Sequence, residues 1–270
     1  MRNVLSSTVL FRAGGLALAD VRCPGGPREW SAPERAKGYG LVFVRAGCFR
    51  RRVEGVDSVI EPNVVYFEQP GQEQQIAHLV TGGEACTAIS VPRTLVTSLW
   101  DGELPVRPLF TSPRVDVMHR LVLSHARQAR GTDELAEELE ALVDSAFDLC
   151  RSEPEQAAKS NGALVDDARE ALAADPSLGL ADVARQVCVS PWHLSRLFRR
   201  HTRETLSRYR NRLRVRLALE RLAEGEESLA RLAADLSFTD QAHLSRVIRK
   251  ELGTTPSALR DALCTVRINS

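Results

Sequence analysis

The tetrapeptide His-Leu-Ser-Arg stands twice in this chain, at His193–Arg196 and 50 residues later at His243–Arg246. Leu197-Phe198-Arg199-Arg200 follows the first copy, and Val247-Ile248-Arg249-Lys250 follows the second. Upstream, Leu180-Ala181-Asp182-Val183-Ala184 matches Leu229-Ala230-Arg231-Leu232-Ala233 at an offset of 49. One unit is therefore written twice. Each copy reads as helix, short turn, helix, with arginines on the second helix, which is the layout of a DNA-reading helix-turn-helix. Two such units at a fixed separation predict visits to two successive major grooves.

In the first unit, apolar Leu180, Val183, Ala184 and Val187 recur at three- and four-residue steps and form one helix face. A turn is expected around Cys188 and Val189. Ser190 is a good N-cap, and Pro191 suits a first helical position, where a missing N–H costs nothing. Leu194, Leu197 and Phe198 then face inward, and Trp192, Ser195, Arg196, Arg199 and Arg203 face outward. Residues 192–216 hold nine Arg and one acid, Glu204, a density that fits phosphate contact. The bland alternatives are a solvated basic helix face and, for Trp192, a hydrophobic staple. In the second unit Leu229, Leu232, Ala233 and Leu236 repeat the inner face, Thr239 or Asp240 caps the next helix, and Leu244, Val247 and Ile248 are its buried side. Gln241, Ala242, Ser245, Arg246 and Arg249 point outward; Gln pairs bidentately with adenine and Arg with guanine. Gly253 reads as a C-cap, and a last short helix runs from Thr254-Thr255-Pro256 to near Leu263. Between the units, residues 205–224 read as one helix ended by Gly225. Its Leu206, Tyr209, Leu213, Leu217 and Leu222 are placed to serve both units, and a useful separation of the two recognition helices is about 34 Å, one DNA turn.

Residues 164–263 resemble the DNA-binding domain of AraC/XylS-family transcription regulators. The resemblance rests on Ser190-Pro191-Trp192-His193-Leu194-Ser195-Arg196-Leu197-Phe198, on Phe238-Thr239-Asp240-Gln241-Ala242-His243-Leu244-Ser245-Arg246, and on the closing Gly253-Thr254-Thr255-Pro256-Ser257-Ala258-Leu259-Arg260. It implies base contact from Trp192, Ser195 and Arg196 in the first helix and from Gln241, Ala242, Ser245 and Arg246 in the second. It also implies double-stranded DNA and RNA polymerase as partners. The chain departs from the family where each turn normally has Gly: Cys188 and Ser237 stand there. A non-Gly residue at positive φ costs about 1 kcal/mol. Ala242 replaces a frequent polar residue and either touches a thymine methyl or reads nothing, and Ile248 replaces the usual aromatic.

The net charge of +1 conceals an asymmetry. Residues 161–270 carry 18 Lys and Arg against 14 Asp and Glu, and the rest of the chain carries 18 against 21. Short strands at intervals of roughly ten residues mark residues 1–110 as a β-sandwich or barrel: Leu41–Val44, Phe49–Val53 and Val56–Ile60 around a Glu54-Gly55 hairpin, Val64–Phe67 and Ala85–Val91. Their order resembles the cupin-like effector domain of the same family, with Gln69-Pro70-Gly71-Gln72-Glu73 in place of its Pro-Gly-Glu turn. Phe43, Phe49, Tyr66 and Ile89 are the expected inward residues. Such a barrel suits a small-molecule pocket. A metal-binding cupin enzyme is the remote alternative. His78 is the single His among residues 1–118, Gln72 and Gln75 stand where ligating His would be expected, and one His does not make a conventional zinc or iron site. The reading is therefore no metal, no cofactor and no catalysis, with His78 an ordinary strand or loop residue.

None of the six cysteines lies in a CxxC or zinc-finger spacing. Cys23, Cys48 and Cys86 fall in the barrel half, so a thiol switch is a rival regulator model beside plain buried cysteines. Residues 111–152 read as a helical hairpin. Val117, Leu121, Leu123 and Ala126 mark its first arm; Leu135, Leu139, Leu142, Val143, Ala146 and Leu149 mark its second, which starts near Thr132 and Asp133. By position it matches the family's dimerisation helices, against the alternative that it simply packs on the barrel. Residues 153–162 read as a linker, and 163–270 as the DNA-binding domain. No signal peptide or membrane span is apparent, so the expected location is the cytoplasm. The expectation is an α+β multidomain protein: a cupin-like barrel, a helical connector and an all-α domain with two helix-turn-helix units.

Overall fold

A computed structural model describes residues 5–79, 83–152 and 162–264. Two sheets build the N-terminal part. The strands are β1 (Ser6–Ala13), β2 (Leu16–Cys23), β3 (Glu34–Arg35), β4 (Tyr39–Ala46), β5 (Phe49–Val53), β6 (Val56–Ile60), β7 (Val64–Glu68), β8 (Glu73–His78), β9 (Glu84–Val91) and, after helix α1 (Arg93–Leu99), β10 (Leu109–Phe110). One sheet has the order β1-β2-β9-β4-β7-β10 and the other β3-β8-β5-β6, all pairs antiparallel. Glu54 (φ 50) and Gly55 (φ 77) close the β5–β6 hairpin, with Val53 opposite Val56. Positive φ at both central residues is the turn whose twist matches the strands.

The six-stranded sheet is covered on both faces. Val42, Val44, Phe49, Ile60, Val64, Tyr66 and Cys86 fill the space between the sheets. The other face, with Leu41, Phe43, Phe67 and Ile89, packs on α2 (Pro113–Arg127) and α3 (Thr132–Ser152). The expected inward set was thus half right. Phe49 and Tyr66 point inside, whereas Phe43 and Ile89 point to the helices, and Phe43 stacks on His119 at 4.4 Å. Strand alternation separates two faces but does not say which is inner when both are apolar. The second arm of the hairpin behaves likewise: Leu135, Leu139, Leu142, Val143 and Ala146 are at most 2% exposed, buried against the sheet of the same chain.

The linker expected at 153–162 lies outside the described residues except for Gly162. Beyond it come α4 (Gly162–Ala174), α5 (Leu180–Gln186), α6 (Pro191–Thr202), α7 (Leu206–Ala223), α8 (Leu229–Asp235), α9 (Gln241–Leu252) and α10 (Pro256–Cys264). Helix α7 serves two cores. Its Leu206, Tyr209 and Leu213 join Val183, Leu194 and Phe198, while Val215, Ala218, Leu219 and Leu222 join Leu232, Leu244 and Ile248. Leu217 touches both.

This helical part is docked on the sheets and α2. Val117 and Leu121 of α2 pack on the second helix-turn-helix core, while Val115, Val122 and Leu123 pack on the barrel. Buried charge joins the parts as well. Glu220 of α7 accepts from Arg45 of β4 at 2.7 Å and also pairs with Arg120 of α2. Arg22 Nη2 donates to Glu224 at 3.1 Å. Arg169 donates to Glu61 at 3.2 Å and to Tyr209 at 2.9 Å, and Tyr209 donates to Glu61 at 2.6 Å. Arg216 pairs with Asp116 and donates to Thr111 Oγ1 at 2.9 Å.

Candidate nucleic-acid interface

Helices α6 and α9 each begin where a side chain satisfies one of the free N–H groups of the first turn. Ser190 Oγ accepts from His193 N at 3.2 Å, with Pro191 at the first helical position. Asp240 Oδ1 accepts from His243 N at 2.6 Å. These caps fix where α6 and α9 start, and so which side chains face outward. Both turns pass through a left-handed residue, Cys188 (φ 57) and Ser237 (φ 58), the two positions where the sequence lacks the expected glycine. The helix ends match as well: Gly253 (φ 72) caps α9, and Arg203 (φ 63) caps α6 at the equivalent place. Arg203 therefore ends its helix, rather than extending the outward face as the pattern suggested.

The repeat in sequence is a repeat in exposure. In α6 Leu194 and Phe198 are fully buried, and in α9 so are Leu244 and Ile248. Trp192, Arg196 and Arg199 are exposed and Ser195 is half-buried; Gln241, Ala242, Arg246 and Arg249 are exposed and Ser245 is half-buried. Every outward position inferred for DNA contact is thus on the solvent side of its helix. Trp192 is 68% exposed, which removes the staple reading, and the Arg196 guanidinium lies 4.8 Å from its ring centroid. Among the described residues, no carboxylate lies within 4 Å of Arg196, Arg199, Arg246 or Arg249.

The arginine run of 192–216 divides. Arg199, Arg200 and Arg208 are exposed, but the α7 arginines beyond them are structural. Arg210 donates to Leu178 O at 2.8 Å, Arg212 to Thr111 O at 2.7 Å and Arg214 to Pro176 O at 2.7 Å, and Arg216 holds Asp116. Burial lowers Arg214 to about 10. Sequence density alone does not distinguish a phosphate-facing arginine from one that satisfies carbonyls at a helix junction.

The barrel thiols offer no activated nucleophile. Cys23, Cys48 and Cys86 are free. Burial pushes Cys86 up to about 12, Cys48 well above the ordinary range, and Cys23 upward too. A redox switch needs the opposite shift. Inside the barrel, Arg51 is 2% exposed. Its guanidinium sits 4.3 Å from the Tyr66 ring centroid and donates to Gln74 Oε1 at 2.8 Å and Phe67 O at 3.2 Å. Nothing in the sequence pattern had singled it out.

Residues 165–262 match a family model described as a helix-turn-helix domain. The chain is 37% identical over 89 residues to regulatory protein SoxS of Salmonella typhimurium, covering 33% of this chain and 83% of that protein. It is 34% identical over 96 residues to the arabinose operon regulatory protein of Escherichia coli, covering 36% of this chain and 32% of that one. ToxT of Vibrio cholerae aligns over 94% of this chain and 99% of its own, at 12% identity and a TM-score of 0.40. No helix among the described residues is long and apolar enough to cross a membrane.

Proposed function

From the premise that this chain belongs to the AraC/XylS family of DNA-binding transcription regulators, we propose that α6 and α9 enter two successive major grooves of one duplex. Trp192, Ser195, Arg196 and Arg199 read the first groove, and Gln241, Ala242, Ser245, Arg246 and Arg249 the second. The observation that carries this reading is the recurrence of one exposure pattern at both helices, with their outward arginines free of carboxylate partners. Arginines unpaired in the free protein need break no ion pair to meet phosphate or guanine. Action on promoters, as this reading has it, implies a cytoplasmic location and RNA polymerase as a further partner. If two copies assemble, they use a surface other than the apolar stripe of α3, which the barrel already covers.

The barrel reads as the effector-sensing part, and Arg51 supports that reading. It is a buried cation between the sheets with no carboxylate within 4 Å among the described residues, beside Tyr66, Gln72 and Gln74. A polar or anionic small molecule is the matching chemistry. The test of DNA reading is selection of bound duplexes from a random pool at two salt concentrations. The expected winner has two boxes about one helical turn apart. Arg196→Ala and Arg246→Ala should each then weaken that site by about 1–3 kcal/mol more than they weaken random DNA. Equal losses on both would reduce these arginines to phosphate contacts.

A further inference from the structure

Cys23 is far in sequence from His78 and Glu84, yet the structure gathers all three at one end of the barrel. Cys23 closes β2, His78 closes β8 and Glu84 opens β9, and Cys23 lies directly opposite Glu84 in the β2–β9 ladder. One ligand-type atom from each, sulfur, ring nitrogen and carboxylate oxygen, lies within 4.8 Å of the other two. His78 Nδ1 is 2.9 Å from Glu84 Oε1.

We propose that Cys23, His78 and Glu84 form a three-ligand site for a zinc-class divalent cation, with a fourth position open to solvent or an external donor. Two further observations point to an occupant. The Glu84 side chain is 2% exposed; Oε1 meets His78 Nδ1 and the weakly donating Cys23 thiol stands beside the carboxylate, which leaves Oε2 without a strong partner, a costly state for a buried carboxylate that a cation relieves. The backbone is also drawn tightly around all three ligands. A Cβ on Gly26 would lie 2.4 Å from His78 Cδ2, one on Gly83 2.4 Å from Cys23 O, and one on Gly47 2.8 Å from Glu84 Cγ. Cys23 and Glu84 face a cavity of about 350 Å³, which Arg22 and Ser6 also line; this is where the open position would point.

The donor set decides the class of ion. Thiolate sulfur with imidazole nitrogen and one carboxylate suits zinc and its borderline-soft neighbours rather than calcium or magnesium, which take all-oxygen shells. Bonds of about 2.3 Å to sulfur and about 2.0–2.2 Å to nitrogen and oxygen place tetrahedral ligand pairs about 3.3–3.7 Å apart. Because no ligand pair lies more than 4.8 Å apart, the longest separation closes by at most about 1.5 Å on binding. Cys23 stands at a strand end before Pro24-Gly25, with its sulfur already turned toward Glu84. Binding converts the thiol to thiolate and releases its proton to solvent, so the step balances as one proton out for one cation in.

The experiment is a Co²⁺ titration of the full chain in an oxygen-free, reducing buffer, followed by absorbance and then by Zn²⁺ back-titration. The expected result is one equivalent of Co²⁺ with a thiolate-to-cobalt charge-transfer band, which Zn²⁺ abolishes. Cys23→Ser loses the band, Glu84→Gln weakens Co²⁺ binding at least about tenfold, and Cys188→Ser leaves the titration unchanged. Zn²⁺ should also raise the unfolding temperature of the unsubstituted chain. No charge-transfer band in the unsubstituted chain at saturating Co²⁺ overturns the proposal without any variant needing to fold. So does a band that persists in Cys23→Ser. DNA affinity is not read at any step, so the outcome stands apart from the recognition helices.

Discussion

Cys188 and Ser237 show how much a single position tells. The two side chains differ in chemistry, and both adopt φ near 57–58, where glycine pays no steric penalty and an L-residue does. The helix-turn-helix geometry imposes that dihedral whatever residue stands there. Cys188→Gly and Ser237→Gly should each therefore stabilise the domain by about 0.5–1 kcal/mol in urea unfolding, the relief of Cβ strain being partly offset by the greater freedom of glycine in the unfolded chain. Gly253→Ala, at φ 72, should shift the midpoint the other way by about 1 kcal/mol. A stabilising Gly253→Ala would show that the α9 cap does not impose the left-handed dihedral. The same scale explains what was hidden. Glu84 had no place in the sequence reading, and its nearness to Cys23 depends on the register of β2 against β9. No local spacing of Cys, His and Glu encodes that register, so the rule that a lone His makes no metal site passed over the cluster.

At the scale of elements, the helices of the C-terminal half were legible because cap, apolar period and terminator agree locally. Ser190 and Pro191 open α6, Thr205 opens α7 by accepting from Arg208 N at 3.2 Å, Asp240 opens α9, and Gly253 closes it. Strands β1, β2 and β8 were not read. The apolar run at Val9–Ala19, interrupted by Arg12, was not read as strands, although Gly14 (φ 57) and Gly15 (φ 84) turn it into a hairpin. In β8, Glu73-Gln74-Gln75 gives little hydrophobic alternation because the face it presents holds Arg51 through Gln74. Strands next to a buried polar group lose the very signal used to find them. Where caps made helices legible they are also testable. Ser190→Ala and Asp240→Ala should each cost about 1 kcal/mol of stability and fray the helix start that carries Trp192 or Gln241. Selective binding to the enriched duplex should fall by more than binding to random DNA. A loss of stability with selectivity unchanged would mean that the first turn does no reading.

At the scale of the molecule, Glu220 is the group on which the docking of the two parts turns. It sits on the helix that serves both helix-turn-helix cores, yet its partners are Arg45 on the barrel and Arg120 on the connector. All three side chains are at most 5% exposed. Burial lowers Arg120 to about 10 despite the carboxylate, so the arginines depend on that anion to remain buried as cations. Glu220→Gln removes the paired carboxylate of Arg120 and leaves Arg45 with Asp20 alone, and should cost about 3–5 kcal/mol in chemical unfolding. Acid should do the same reversibly. Burial alone would raise Asp20 and Glu220. The hydrogen bond from Arg127 and the charges of Arg45, Arg127 and Arg22 hold Asp20 below its ordinary 3.8, and those of Arg120 and Arg45 hold Glu220 below its ordinary 4.5. Depressed carboxylates give stability that is complete above those ordinary values and lost as pH falls through the lower folded ones. The radius of gyration from small-angle scattering should therefore stay constant from pH 8 to about pH 5 and rise only below about pH 4. In Glu220→Gln the expanded form should already be present at neutral pH. An expansion of the unsubstituted chain centred near pH 6.5 would transfer control of docking from these carboxylates to a histidine. Because α2 touches the barrel on one side and the second helix-turn-helix core on the other, whatever loosens Glu220 alters the support beneath α9. In the function proposed above, that is the physical route by which the barrel biases DNA reading.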